Sequence, residues 1–117
     1  MKNAYQDGRV LDLVLTAAVN SGEVIVQNKI IAVAVTDGAI GDTIAAHVEG
    51  VFRLKKASAA VFAAGTPVNW DTDNKQAISA AGSTGDSDAI GYAVAAAGNG
   101  TTEVLVRLTP GTAALVA

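Results

Sequence analysis

A chain of 117 residues with a formal charge of −3 and a pI near 4.8 is one domain long and carries no basic surplus for a nucleic-acid backbone. It has no cysteine and a single histidine, which excludes disulfides, thiolate catalysis, iron–sulfur clusters, cysteine zinc sites and any site built from two histidines of one chain. Half of the residues are hydrophobic, much of that alanine, but twelve glycines and short apolar periods argue against the helices that alanine favours.

The opening "MKNAYQDGRV" has no apolar stretch of the kind a signal peptide needs. The longest apolar run, "IIAVAV" at 30–35, falls far short of the ~20 residues of a membrane helix, so the expected location is a cytoplasm or something assembled there. "VLDLVLT" (10–16) then alternates, with Leu11, Leu13 and Leu15 on one face and Asp12 and Thr16 on the other, which is a strand period. "EVIVQ", Asn28-Lys29 and "IIAVAVT" predict a hairpin whose second strand, apolar on both faces, is central in its sheet. "DGAIGD" (37–42) is turn chemistry. "TIAAHVE" (43–49) alternates again, with Ile44, Ala46 and Val48 opposite His47 and Glu49.

Gly50 interrupts that run before "VFRLKK" (51–56), where Phe52 and Leu54 oppose Arg53 and Lys55. "ASAAVFAAG" (57–65) is the one helical candidate, with Ser58 as N-cap and Gly65 just past the end; a plain loop is the alternative. Pro67 opens the next strand, with Val68 and Trp70 on one face and Asn69 and Asp71 on the other. "DTDNK" turns the chain and "QAIS" returns it. "AAGSTGDSD" (80–88) is expected to be a flexible polar loop, and "AIGYAVAA" and "TTEVLVRL" a hairpin closed at Asn99-Gly100. The tail 109–117 is uncharged, either a docking arm or, by default, a frayed end. The sum is an all-β fold, a small barrel or sandwich of about eight short strands with at most one short helix. Residues 1–9 form an N-terminal arm, 10–108 a single β domain and 109–117 a C-terminal tail.

No constellation carries chemistry well. Read as a calcium loop from Asp71, the stretch "DTDNK" puts Lys75 where a fifth-position ligand should sit, and a turn built on Asp and Asn explains it better. Asp71 and Asp73 share one turn, whereas paired catalytic carboxylates flank a cleft from separate elements. Trp70 suits a core position better than a sugar-stacking platform. His47 and Glu49 leave the same strand face, but the G-x-S-x-G of a nucleophile elbow is missing. "GSTGDSD" lacks the Gly-Lys-Ser/Thr ending of a phosphate loop. Arg53, Lys55 and Lys56 make a small basic patch, adequate for an acidic protein partner. The chain therefore reads as a binding or structural module with no cofactor and no metal.

The order of the pieces is more specific than any one of them. A "SG-x-V" step (21–24) is followed by "G-V-F-x-L-x-K-A" (50–57), "AAG-x-x-V-x-W-D" (63–71), "I-G-x-A" (90–93) and a closing "V-R-L" (106–108). In this order they resemble the bacteriophage capsid cement, or decoration, proteins, over about residues 5 to 108. The resemblance implies a small β-rich protein, not an enzyme, that sits on the outer surface of the virion. Such proteins are made in the bacterial host cytoplasm, are commonly trimers, and clamp neighbouring subunits of the phage major capsid protein. The acidic composition and the short apolar runs argue in turn against a nucleic-acid and a membrane partner. The matching residues include Gly22, Gly50, Phe52, Gly65, Trp70, Asp71 and Gly91, which read as turn glycines and core positions. Candidate capsid or protomer contacts are Tyr5, Gln6 and Arg9 on the arm and Arg53, Lys55 and Lys56 on the basic strand. The apolar tail departs from the family's usual ending. The competing expectation is a carbohydrate-binding β module with Trp70 as platform; an enzyme resting on His47 is third.

Overall fold

The computed structural model describes residues 9–116, and every regular element among them is a strand. Alternating apolar residues make β1 (Val10–Val14), β2 (Val24–Gln27), β3 (Ile30–Ala34), β4 (Thr43–His47) and β5 (Gly50–Lys55). They are followed by β6 (Pro67–Asp71), β7 (Gln76–Ile78), β8 (Ser87–Ala93), β9 (Glu103–Leu108) and β10 (Ala114–Leu115). The first four form one antiparallel sheet in the order β1-β4-β3-β2, with β3 inside it as its two apolar faces predict. The rest form a second sheet in the order β5-β9-β8-β6-β7, with β10 added to β8. A parallel bridge between Lys56 and Ala77 draws the end of β5 onto β7, so the second sheet curls into a half-barrel.

Two cores follow from this curling. Leu54, Phe62, Val68, Trp70, Ile90 and Val106 lead the cluster inside the half-barrel, and Leu13, Leu15, Ile25, Ile44, Ala46 and Val48 lead that of the first sheet. Strand β3 serves both: Ile31 and Val33 join the barrel cluster, while Ala32 and Ala34 face the other. Each fully buried side chain of this size contributes about 1.5–3 kcal/mol.

One turn recurs six times. Residues 20–23, 39–42, 63–66, 83–86, 98–101 and 109–112 each close with a backbone bond from the fourth N–H to the first carbonyl. The third residue is glycine every time, at φ between 82 and 92°, the type II geometry that a Cβ resists. The fourth residue is Glu23, Asp42, Thr66, Asp86, Thr101 or Thr112, and its side chain reaches back to the first. The acids accept that residue's N–H and the threonines donate to its carbonyl. A Gly-(Asp/Glu/Thr) pair is thus the local signal that starts four of the strands, two residues on.

Four expectations are corrected. Residues 57–65 form no helix. The Phe62 N–H and carbonyl both pair with Ala97, and Gly65 donates to the Ala93 carbonyl, so these backbone groups are spent on other segments. A nine-residue alanine-rich stretch is too short to hold a helix against that competition. Asn99-Gly100 closes no tight hairpin: β8 and β9 are joined through 94–102, and the pair is the centre of a type II turn. The loop 80–88 is tied down, because Asp88 accepts the Gly82 N–H and buried Asp86 accepts those of Thr72 and Ser83. The tail, finally, is not frayed over its described residues. Thr109-Pro110-Gly111-Thr112 turns the chain so that Ala113 is buried and Ala114 and Leu115 pair with Asp88 and Ser87.

Candidate interaction surface

Asp71 ends β6 with its carboxylate turned onto the next residues. Its Oδ1 accepts the N–H groups of Asp73 (3.1 Å) and Asn74 (3.2 Å), and its Oδ2 accepts the Asn74 side-chain amide at 2.8 Å. Those bonds, the Asn74 amide first, hold the carboxyl below its ordinary pKa. Lys75 completes the turn at φ 53° and pairs with Glu23 at 3.5 Å. This stretch is a hairpin turn, and its acids are engaged in making it.

Trp70 is 4% exposed and packs among the barrel residues, so neither ring face is open for stacking. The cleft it borders, between Leu15 and Lys75, measures about 160 Å³, against roughly 300–1,000 Å³ for small-molecule sites. The platform reading of Trp70 is overturned by this burial. His47 lies 5.9 Å from the Phe52 ring, centroid to centroid, and Glu49 faces Arg107 at 3.9 Å, so the two diverge to separate partners.

The basic patch divides. Alternation along β5 turns Phe52, Leu54 and then Lys56 inward, and Lys56 is only 2% exposed. Its ammonium donates to the carbonyls of Ala57 (2.8 Å), Ser58 (3.3 Å) and Ala60 (2.5 Å). Lys56 is therefore no surface contact: it takes the carbonyls of the 57–60 turn as its partners inside the protein. The period of two marks position 56 as inward; reading "RLKK" as a charge run hides it. Arg53 and Lys55 remain exposed on the outer face. Arg9 leads into β1, its carbonyl accepting the Val48 N–H. Tyr5 and Gln6 lie outside the described residues.

What the half-barrel presents outward is a mixed apolar and charged sheet face. Strand register places Val51, Arg107, Tyr92 and Pro67 in one row across β5, β9, β8 and β6. The Arg107 guanidinium carbon lies 6.0 Å from the centre of the Tyr92 ring, at the limit of a cation–π contact. Arg53 lies opposite Leu105 and reaches Glu103 at 3.9 Å, an exposed pair of little energetic weight. Val51, Tyr92 and Val94 all expose apolar surface there. Such a face can bind a partner; it holds no nucleophile–base pair.

The model of a family described as phage cement protein matches residues 5–108, nearly the whole folded body. The chain belongs to the phage cement protein family. No curated protein and no solved structure matches it. The residues that carry the resemblance take on definite physical roles here. Gly22 and Gly65 hold type II turns, and Gly50 opens β5 at φ 129° beside the Phe52 ring. Gly91 is no turn residue. It lies within β8, where a Cβ would come 2.1 Å from the Arg107 carbonyl oxygen, so only glycine lets β8 and β9 meet. Phe52 is partly buried against the barrel core, and Asp71 makes the β6–β7 turn.

Proposed function

We propose that this cement protein binds the outer surface of a phage head as a homotrimer and stabilises it by clamping neighbouring major capsid subunits. The observation that carries the reading is the family match over residues 5–108. A binder that engages the assembled lattice and not its dissociated subunits stabilises the lattice by mass action. Several weak contacts per oligomer suffice, because each later contact is made at high effective concentration. Arg53 and Lys55 on the barrel face, Arg9 at the start of β1, and Tyr5 and Gln6 before it are the contacts with capsid or neighbouring protomer. The role is structural and non-enzymatic, and it is exercised on the virion after synthesis in the host cytoplasm.

Co-sedimentation with purified heads lacking the protein tests this. Saturable binding, with heads that then resist heat or low salt, is the expected result. Failure to sediment with heads at micromolar concentration overturns the reading. Removal of residues 1–8 is expected to weaken head binding, and unchanged binding removes the arm from the contact set.

A further inference from the structure

Asn99-Gly100 is the one Asn-Gly pair in the chain, and its side chain is left unoccupied by the fold. Asn99 is exposed, and its carboxamide takes no hydrogen-bond partner among the described residues. Gly98 and Gly100 on either side have open space where a Cβ would stand, so no neighbour shields it. Asn69 and Asn74 differ: the first bonds Ala80 and Ala89, the second Asp71, and bulky residues follow both. An asparagine followed by glycine is the most reactive setting for loss of its side-chain ammonia, a reaction that needs no enzyme. The Gly100 nitrogen bonds to Asn99 Cγ, and its proton passes through solvent to the side-chain NH2, which leaves as ammonia. Water then opens the succinimide ring at one of its two carbonyls, giving aspartate or isoaspartate at position 99.

The backbone around the pair opposes that reaction. Gly100 N–H, the group that must give up its proton, donates to the Ser58 carbonyl at 2.7 Å. The 98–101 turn has type II geometry, with Gly100 at φ 90°. Such a turn sets the Asn99 ψ near +120°, which swings the Gly100 nitrogen away from its own ring closure. Two further bonds fix the segment: Thr101 Oγ1 donates to the Gly98 carbonyl (2.7 Å) and Lys56 N–H to that of Thr102 (2.8 Å). The Ser58 carbonyl is itself positioned from inside, because the buried Lys56 ammonium also reaches it, at 3.3 Å, along with the carbonyls of Ala57 and Ala60.

We infer that Asn99 is a deamidation site that the fold holds silent, with the Gly100–Ser58 bond as its lock and Lys56 as the group that keeps the lock in place. Ring closure requires the 98–102 segment to lift off the 57–60 turn, a local opening that leaves the sheets intact. The change runs one way, since isoaspartate adds a methylene to the main chain and the type II turn no longer closes over it. Position 99 therefore records how long the turn has stood open. The inference is independent of any partner the protein binds.

The full-length protein is incubated at mildly alkaline pH, folded or unfolded in urea, and position 99 is followed by peptide mass spectrometry that separates asparagine, aspartate and isoaspartate. Conversion is expected to be at least about tenfold slower in the folded protein. Lys56→Met is expected to speed it at least about threefold over folded wild type, while Lys55→Met leaves it unchanged. Thr101→Val, which removes the bond to the Gly98 carbonyl, replaces Lys56→Met if that protein does not fold, with the same expectation. Amide hydrogen exchange separates local from global opening: the Gly100 amide is expected to be protected, yet to exchange faster than that of Val106 in the middle of β9. Folded wild type converting as fast as unfolded chain, an unprotected Gly100 amide, Gly100 and Val106 exchanging together, or a folded Lys56→Met or Thr101→Val protein converting at the wild-type rate overturns the inference.

Discussion

Lys56→Met is the substitution that tests the structure hardest, because it removes one charge and keeps the length of the stem. Among the described residues the ammonium meets three carbonyls, at 2.8, 3.3 and 2.5 Å. A hydrogen bond to a charged group contributes about 1.5–3 kcal/mol net, so the two short bonds set an upper range of about 3–6 kcal/mol. Two effects reduce it. The Ala57 and Ser58 carbonyls keep backbone donors, from Ala60 and Gly100, and the buried ammonium no longer has to be desolvated. A net loss of about 2–4 kcal/mol is left, and at roughly 4 °C per kcal/mol for a chain of this size the melting temperature falls by about 8–16 °C. Thermal unfolding followed by circular dichroism measures it, with Lys55→Met, exposed one residue away, expected to stay within about 0.5 kcal/mol of wild type. A Lys56→Met protein as stable as the Lys55→Met control, or more stable than wild type, would refute the argument that the ammonium organises the 57–60 turn.

Gly91→Ala forces a Cβ to within 2.1 Å of the Arg107 carbonyl oxygen, a backbone atom held in β9. A loss of about 3 kcal/mol or more in chemical denaturation is expected, while Gly98→Ala, with open space around it, stays near wild type. Ser87→Ala goes the other way: its hydroxyl is buried without a partner among the described residues, so equal or higher stability, by up to about 1 kcal/mol, should appear in the same assay. Asp71→Asn tests the turn by pH. Because the folded carboxyl is held below its ordinary value, its contribution is complete above the unfolded pKa of about 3.9 and disappears as pH falls through the lower folded value. Wild type is thus expected to exceed the variant in stability at neutral pH and to lose that advantage as acid protonates the folded carboxyl; a constant gap across the acid range contradicts the hydrogen-bonded carboxylate.

Strand identity was legible in the sequence wherever one face meets solvent. Val68 and Trp70 inward with Asn69 and Asp71 less buried, or Ile44, Ala46 and Val48 opposite His47, follow from a period of two and need no tertiary information. The candidate interaction surface was legible only in part. Arg53 and Lys55 fall outward by the same period, but Tyr92, Val94 and Arg107 join them only because β9 and β8 lie beside β5. The six recurrent turns were written locally as glycine followed by Asp, Glu or Thr, yet their spacing is irregular, so no repeat period announces them.

The sequence by itself determined an all-β chain, the direction of its side chains and where it turns, because these depend on pleat geometry and on residues that neighbour one another in the chain. Tertiary structure alone decided which backbone groups find distant partners. Phe62 pairs with Ala97 and so an alanine-rich stretch stays out of a helix, and Gly91 meets Arg107. The physical reason is the same in each case. A buried donor or acceptor must be satisfied, and which atoms are there to satisfy it depends on how the sheets close, which no local pattern encodes.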